Sequence, residues 1–244
     1  SQFVAAAYVV DGDKTQEQIN NLLKSKKLID TRLYGLVVNT EADQTASIHA
    51  AFSANPTCNN FYIPSGTIKA NIVYPRAYIN LVGDSMLTTI LQPFDLTKPA
   101  ISFNKFLYPS LTQLSVQAGQ NYTSEQLIDA RDSRYIYMGE VDTKKTIKSG
   151  ETHSYQTILI DNRSPTVGWT GYNTFESVRC TYGAYGYLAD TDKLNSVISM
   201  KSCVFAQNGY FGIKTAAHNG TFLSMDIAGN GKLCPSGTYD ETMY

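Results

Sequence analysis

Cys203-Val204-Phe205-Ala206-Gln207-Asn208-Gly209 is echoed 22 residues later by Met225-Asp226-Ile227-Ala228-Gly229-Asn230-Gly231. The apolar pair Cys203/Phe205 maps onto Met225/Ile227, and Asn-Gly returns at the same place in both copies. Upstream, Gly183 and Gly186 match Gly209 and Gly212 at a spacing of 26, provided that the strand before them slips by one residue to keep Val178 and Cys180 on the inner side. Such spacings fall within the ~20–45 residues of stacked repeats, in which each unit buries its inner face only against its neighbours. Asn-Gly suits tight corners, because Gly takes positive φ freely and Asn tolerates it. The chain from Phe61 onward is therefore expected to be all-β and to wind as a right-handed, single-stranded parallel β-helix. Val178, Cys180, Cys203, Phe205, Met225 and Ile227 should share its core.

The rest of the chain fits that expectation. Short β-rich runs lie between turn residues at Phe61 to Ile63, Ile72 to Val73, Ile79 to Val82, Thr89 to Leu91, Ile101 to Phe103, Leu111 to Val116 and Thr157 to Ile160. The charged stretch from Glu140 to Ser154 reads as an excursion from the coil, a surface loop. Ahead of the coils, Leu33 to Val38 reads as a strand. Asp43 then caps a short helix over about 43–54, with Ile48, Ala51 and Phe52 on one face and Pro56 as its stop. Farther upstream, Thr15 and Gln18 form a capping-box pattern followed by an Ile19, Leu22, Leu23 stripe and by Lys24, Lys26 and Lys27. A helix this short is marginal alone, so its stripe needs a partner. The expected division is a helical neck and linker over 1–29 and a β-helix domain over 30–244.

Charged residues are 17% of the 244 and the formal net charge is −1, which argues against nucleic acid as a partner. No apolar run approaches the ~20 residues of a bilayer span. The run Phe3 to Val10 lacks the basic flank and cleavage pattern of a secretion signal. The chain is expected to be soluble, unprocessed and not inserted in a membrane. Cys58, Cys180, Cys203 and Cys234 lack metal-site spacing and are too few for a disulfide framework, so buried free thiols are expected.

Four pieces in order, Asp30-Thr31-Arg32-Leu33-Tyr34-Gly35, Asp43-Gln44-Thr45-Ala46-Ser47-Ile48-His49-Ala50-Ala51-Phe52, Phe61-Tyr62-Ile63-Pro64-Ser65-Gly66-Thr67 and Asn80-Leu81-Val82-Gly83 with the Thr-Ile strand after it, span Leu28 to Gln92. Together they resemble the opening of the pectate-lyase-like β-helix of bacteriophage tailspikes and capsule depolymerases. Gln44 stands for the family's second Asp, and Asn39-Thr40-Glu41 for its usual Gly-Asp-Gly turn. Asp11-Gly12-Asp13-Lys14-Thr15-Gln16-Glu17-Gln18-Ile19-Asn20 is similar to the neck that precedes the β-helix in many tailspikes and fibres. The resemblance implies a helix plugging the N-terminal end of the coil and a homotrimer in an extracellular virion tail, joined to other tail proteins through its N-terminal end. It also implies binding, and often cleavage, of a bacterial surface polysaccharide. The alternative is a virion β-helix with a structural or receptor-binding role and no catalysis. A cellular polysaccharide lyase ranks below both.

No nucleophile-elbow, zinc-protease, phosphate-loop or dinucleotide motif occurs, so neither metal nor cofactor is expected. Cleaving a glycosidic bond without metal generally takes two carboxylates flanking it. Glu176 and Asp226 precede the echoed turns and, if both face outward, lie two coils apart, near the ~6.5–9.5 Å of an inverting pair. They are the candidate catalytic pair, with solvated surface carboxylates as the plainer reading. A lyase would draw instead on Arg179, Lys201 or His218. Tyr182, Tyr185 and Tyr210, with Tyr187 nearby, cluster at the Gly-rich turns. With Arg179 they are the candidate sugar-binding residues, against the plainer reading of rings covering coil edges. His49 is expected to be structural.

Overall fold

A computed structural model of the chain describes residues 27–146, 156–166, 169–189, 194–215 and 217–231. Within them the chain is a parallel β-helix, and every strand pairing is parallel. A coil contributes up to three strands. The first strands stack from Leu28–Asp30 through Asn60–Tyr62 and Asn80–Val82, and continue to Asn173–Glu176, Leu194–Lys201 and Ala217–Leu223. The second strands run from Gly66–Lys69 to Asp226–Ala228, and the third from Ile72–Val73 to Phe211–Lys214. In two coils the first and second strands are continuous, as Ser110–Ala118 and Tyr137–Lys145.

Phe61, Leu81, Leu111, Met138, Phe175, Met200 and Phe222 share one register column, so successive coils advance by 20, 30, 27, 37, 25 and 22 residues. The alternating pattern sends one set of side chains into the lumen, where from Phe61 to Met200 the column is fully buried. The echoed segments pair as expected: Val204 with Asp226, Phe205 with Ile227, Ala206 with Ala228. Val178, Cys180, Cys203 and Phe205 are fully buried, and Met225 packs partly buried against the same core. Ile227 is on the correct register but 55% exposed, because it belongs to the last described coil and nothing described stacks on it. Cys58, Cys180 and Cys203 are free buried thiols, and Cys234 lies outside the described residues.

The expected slip also has a structural cause. Arg179 pairs with Val204 at a shift of 25, yet Tyr185 pairs with Phe211 at 26. The extra residue is Asn208, which is buried and fills the corner: its Nδ2 donates to Cys180 O at 3.1 Å and its Oδ1 accepts from Gly183 N at 3.0 Å. Asn230 repeats the arrangement one coil on, its Oδ1 accepting from Asn208 N at 2.9 Å.

At the N-terminal end α1 (Thr45–Ala54) lies across the open coil with Ile48, Ala51 and Phe52 buried, and the Phe52 ring meets Phe61 edge-on at 4.7 Å. Asp43 Oδ1 accepts from Thr45 N at 2.9 Å, whereas Oε1 of the N-cap residue, Gln44, accepts from Val37 N at 2.8 Å. Two expectations are corrected here. Leu33 to Val38 is not a strand: Thr31–Tyr34 is a 3-10 turn closed by Gly35 at φ 88°, and the strand is Leu28–Asp30. The stretch from Glu140 is not an excursion as far as Lys145, because Val141, Thr143 and Lys145 turn inward while Glu140, Asp142 and Lys144 are the outward positions of a strand. Residues 147–154 of that stretch, like the neck helix expected near Thr15, lie outside the described residues.

Candidate functional site

Between the first and second strands the chain turns through a single residue of left-handed conformation, repeated coil after coil: Gln113, Glu140, Ser177, Ser202 and Ser224 at φ 53–56°. That bend aims the outward side chains on either side of it toward neighbouring space. Glu176, at the end of the first strand, is exposed and stacks on Gly139, whereas Asp142, on the second strand, stacks between Ser115 and Arg179. Glu176 and Asp142 therefore sit on adjacent coils, on opposite sides of the bend. Tyr137 Oη donates to Glu176 Oε2 at 3.1 Å. The ring reaches it by lying over Gly139, where an added Cβ would come within 2.8 Å of the hydroxyl. Gln113 Nε2 donates to Glu140 Oε2 at 3.5 Å, one position farther into the bend.

Burial raises the pKa of Asp142 above its ordinary value, and Lys144 and Arg179 oppose the shift only in part. Lys144 Nζ stands 4.0 Å from its carboxylate and Ser115 Oγ donates to it at 3.5 Å. A half-buried carboxyl whose pKa burial raises, one coil and three positions round the bend from an exposed carboxylate, is an arrangement that can donate and accept protons across a bond laid over the bend. The described residues contain no group of three or more His, Cys, Asp or Glu suited to a metal ion.

On the other side of the first strands runs a second column. Tyr78, Tyr108, Tyr135 and Tyr172 all adopt left-handed φ of 55–64° and stack nearly parallel, with centroids 4.7, 4.5 and 5.1 Å apart. Each precedes by two residues an outward first-strand position: Asn80, Ser110, Tyr137 and Thr174. The outer face of the first strands is thus a narrow polar strip, parallel to the coil axis, between a tyrosine ladder and the bend that carries the carboxylates.

No protein-family model matches the chain, and no curated protein matches its sequence. Among solved structures, 87% of the chain superposes on the tailspike gp49 of the Acinetobacter baumannii bacteriophage Fri1, a capsular polysaccharide depolymerase, with a TM-score of 0.50, 14% identity and 38% of that chain covered. The fold resembles that of a phage tailspike. A candidate glycosyl hydrolase from Parabacteroides merdae superposes at a TM-score of 0.47 with 9% identity, covering 84% of this chain and 96% of that one. ORF18 of Geobacillus virus E2 does so at 0.43 with 12% identity, covering 88% and 62%.

On this tailspike-like fold the residues expected from sequence are distributed along one side. Glu176 and Asp226 both face outward, and two coils separate them. The axial component alone is about 9.5 Å, and three positions round the bend, equivalent to Glu176 to Arg179, add to it. Arg179 is exposed and stacks next to Asp142, which the sequence reading had not selected. Tyr185 and Tyr210 stack at 5.4 Å and Tyr185 and Phe211 at 6.1 Å, with Lys214 Nζ 6.0 Å from the Tyr185 centroid. Tyr182 is exposed at the preceding turn with φ 66°. These rings gather at the turn into the third strand, beyond Arg179 rather than at Glu176. Tyr187 is no edge ring: it is fully buried, and its Oη donates to Asn162 Oδ1 at 3.0 Å. His49 Nε2 accepts from Val73 N at 3.1 Å, a structural bond that ties α1 to the coil, and burial lowers its pKa. His153 and the side chain of His218 lie outside the described residues.

Proposed function

We propose that this chain forms the β-helix of a tailspike-type virion protein that attaches to a bacterial capsule or O-antigen polysaccharide and hydrolyses it. The observation that carries the reading is the bend, where burial raises the pKa of Asp142 while Tyr137 hydrogen-bonds the exposed Glu176 on the neighbouring coil. Such a pair supplies the acid and the base that glycoside hydrolysis needs. Likeness of fold to a depolymerase tailspike supports the substrate class. Hydrolysis fits better than lyase chemistry, since the groups in hand are two carboxyl side chains on adjacent coils. Glu176 with Asp226 remains the second pairing to test. Arg179, Tyr182, Tyr185 and Tyr210 would hold sugar units flanking the cut. In the virion the protein would work as a homotrimer, outside the cell, held to other tail proteins by its N-terminal end.

The long separation of Glu176 from Asp226 favours a second reading, in which the coil binds a polysaccharide receptor and does not cut it. Spotting the purified protein on lawns of diverse encapsulated bacteria separates the two. A halo on a restricted set of strains is expected. Binding to those strains with no halo on any lawn supports the receptor-binding reading, and neither binding nor halo overturns both.

A further inference from the structure

We infer that Arg179 and Lys201 form an anion subsite at the bend, built for a carboxylate on the polysaccharide, so that the substrate is a glycan with uronate or other carboxyl-bearing units. The inference rests on the polysaccharide reading above and narrows the substrate class. Three observations carry it. The first is register. On the first strands the outward column runs Gly139, Glu176, Lys201, and on the second strands it runs Ser115, Asp142, Arg179. On both sides of the bend an acid is thus followed by a cation one coil later, about 4.8 Å along the axis. The diagonal across the bend that joins Asp142 to Glu176 is repeated one coil on by the diagonal that joins Arg179 to Lys201. Both cations are exposed.

The second observation is that neither cation is engaged within the fold. Elsewhere Lys98 pairs with Asp95, Arg163 with Asp161 and Glu125, and Arg76 donates to the carbonyls of Asn55 and Cys58. Lys27 at the N-terminal edge aside, Arg179 and Lys201 are the cations among the described residues that make no ion pair, hydrogen bond or ring contact. The acids they stack on have other partners: Glu176 accepts from Tyr137, while Asp142 accepts from Ser115 and has Lys144 4.0 Å away. Cations placed to stabilise the stack would close on those acids, as cross-strand charge pairs do. Arg179 acts on Asp142 only through space.

The third observation is a pair of hydroxyls between the two charges. Ser177 and Ser202 are the left-handed bend residues of the same two coils, both at φ 54°, and among the described residues their hydroxyls have no hydrogen-bond partner. Beyond the diagonal the columns continue with Val204 and Leu223, so the next acid, Asp226, lies two coils past Arg179. A guanidinium takes a carboxylate through two parallel N–H donors, an ammonium adds a point charge, and hydroxyls fill the remaining lone pairs. One exposed ion pair contributes little, so selectivity requires both cations to act on one group. A neutral sugar at this place would leave both charges without a counterion, and a carboxylate supplies it.

The test is affinity electrophoresis of the intact protein through gels containing purified bacterial surface polysaccharides. One set has uronate repeats, a second is the same polymers with their carboxyl groups reduced to hydroxymethyl groups, a third is neutral and a fourth is charged through phosphodiesters. Retention by one or more uronate polymers is expected, weakened about ten-fold by carboxyl reduction. Arg179→Gln together with Lys201→Gln, both surface changes, should weaken retention of the native polymer to the same extent at an unchanged melting temperature. Carboxyl reduction should then have no further effect, a loss of additivity that a merely structural role would not produce. Equal retention of native and reduced polymers, or retention by the neutral or the phosphodiester set alone, overturns the inference and leaves the polysaccharide reading intact. Retention by none of the sets overturns both. A double variant that still distinguishes the native polymer from the reduced one also overturns the inference, because the carboxylate is then read elsewhere on the coil.

Discussion

Asp142 is the residue whose environment says most. An exposed aspartate has an ordinary value of 3.8, and burial moves this one upward. The folded protein therefore binds more protons than the unfolded chain in the window between the two values. Its stability is greatest below the unfolded value and falls as pH rises through the folded one. Asp142→Asn should accordingly melt at a higher temperature than the parent at pH 7, with the gap closing as pH falls below about 3.8; an unchanged or lower melting temperature at pH 7 contradicts the buried-acid assignment. Next to it, Gly139 leaves the room that Tyr137 needs in order to reach Glu176. None of this was legible in the chain. Asp142 and Glu140 lie in a run of charges that reads as a solvated loop, and only the alternation with Val141 and Thr143, visible once the inward positions are known, makes it a strand.

At the scale of the element, the corners decide how much the sequence reveals. The Asn-Gly corner announces itself because Asn208 and Asn230 occupy equivalent places, and their side chains replace missing backbone bonds. Asn208→Ala should cost about 1–3 kcal/mol for the Gly183 N–H and Cys180 carbonyl that it leaves buried without a partner, measured by urea unfolding. A cost near zero would mean that water or the neighbouring coil replaces the amide. The bend before the second strand was silent, because its left-handed positions carry Gln, Glu and Ser rather than Gly or Asn. The tyrosine ladder was silent for another reason. Its members are 30, 27 and 37 residues apart, since turns of unequal length join strands of equal spacing, and no fixed period exposes them. The capping helix was readable from Ile48, Ala51 and Phe52 on one face, a pattern set by local periodicity alone.

At the scale of the whole molecule, the coil is one continuous core, in which Phe205 sits fully buried between Cys180 and Ile227. Phe205→Ala should cost about 3–5 kcal/mol in urea unfolding, and a loss under about 1 kcal/mol would mean that the stack relaxes around the cavity. The neck stripe of Ile19, Leu22 and Leu23 is expected to join three copies. Light scattering should then give a trimer for the intact protein and a smaller species for a version that begins at Leu28. A monomeric intact protein removes the proposal, and a trimer that survives the deletion moves the contacts to the coil. The central claim is that carboxylates on the outer bend cut a polysaccharide, and its most direct test is the size distribution of a susceptible host's purified surface polysaccharide after incubation with the protein. The parent should shorten the polymer, Glu176→Gln should abolish shortening while still binding, and whichever of Asp142→Asn and Asp226→Asn does the same identifies the partner acid. Shortening that persists undiminished in all three variants, or a polymer that the parent binds and leaves at full length, contradicts the claim.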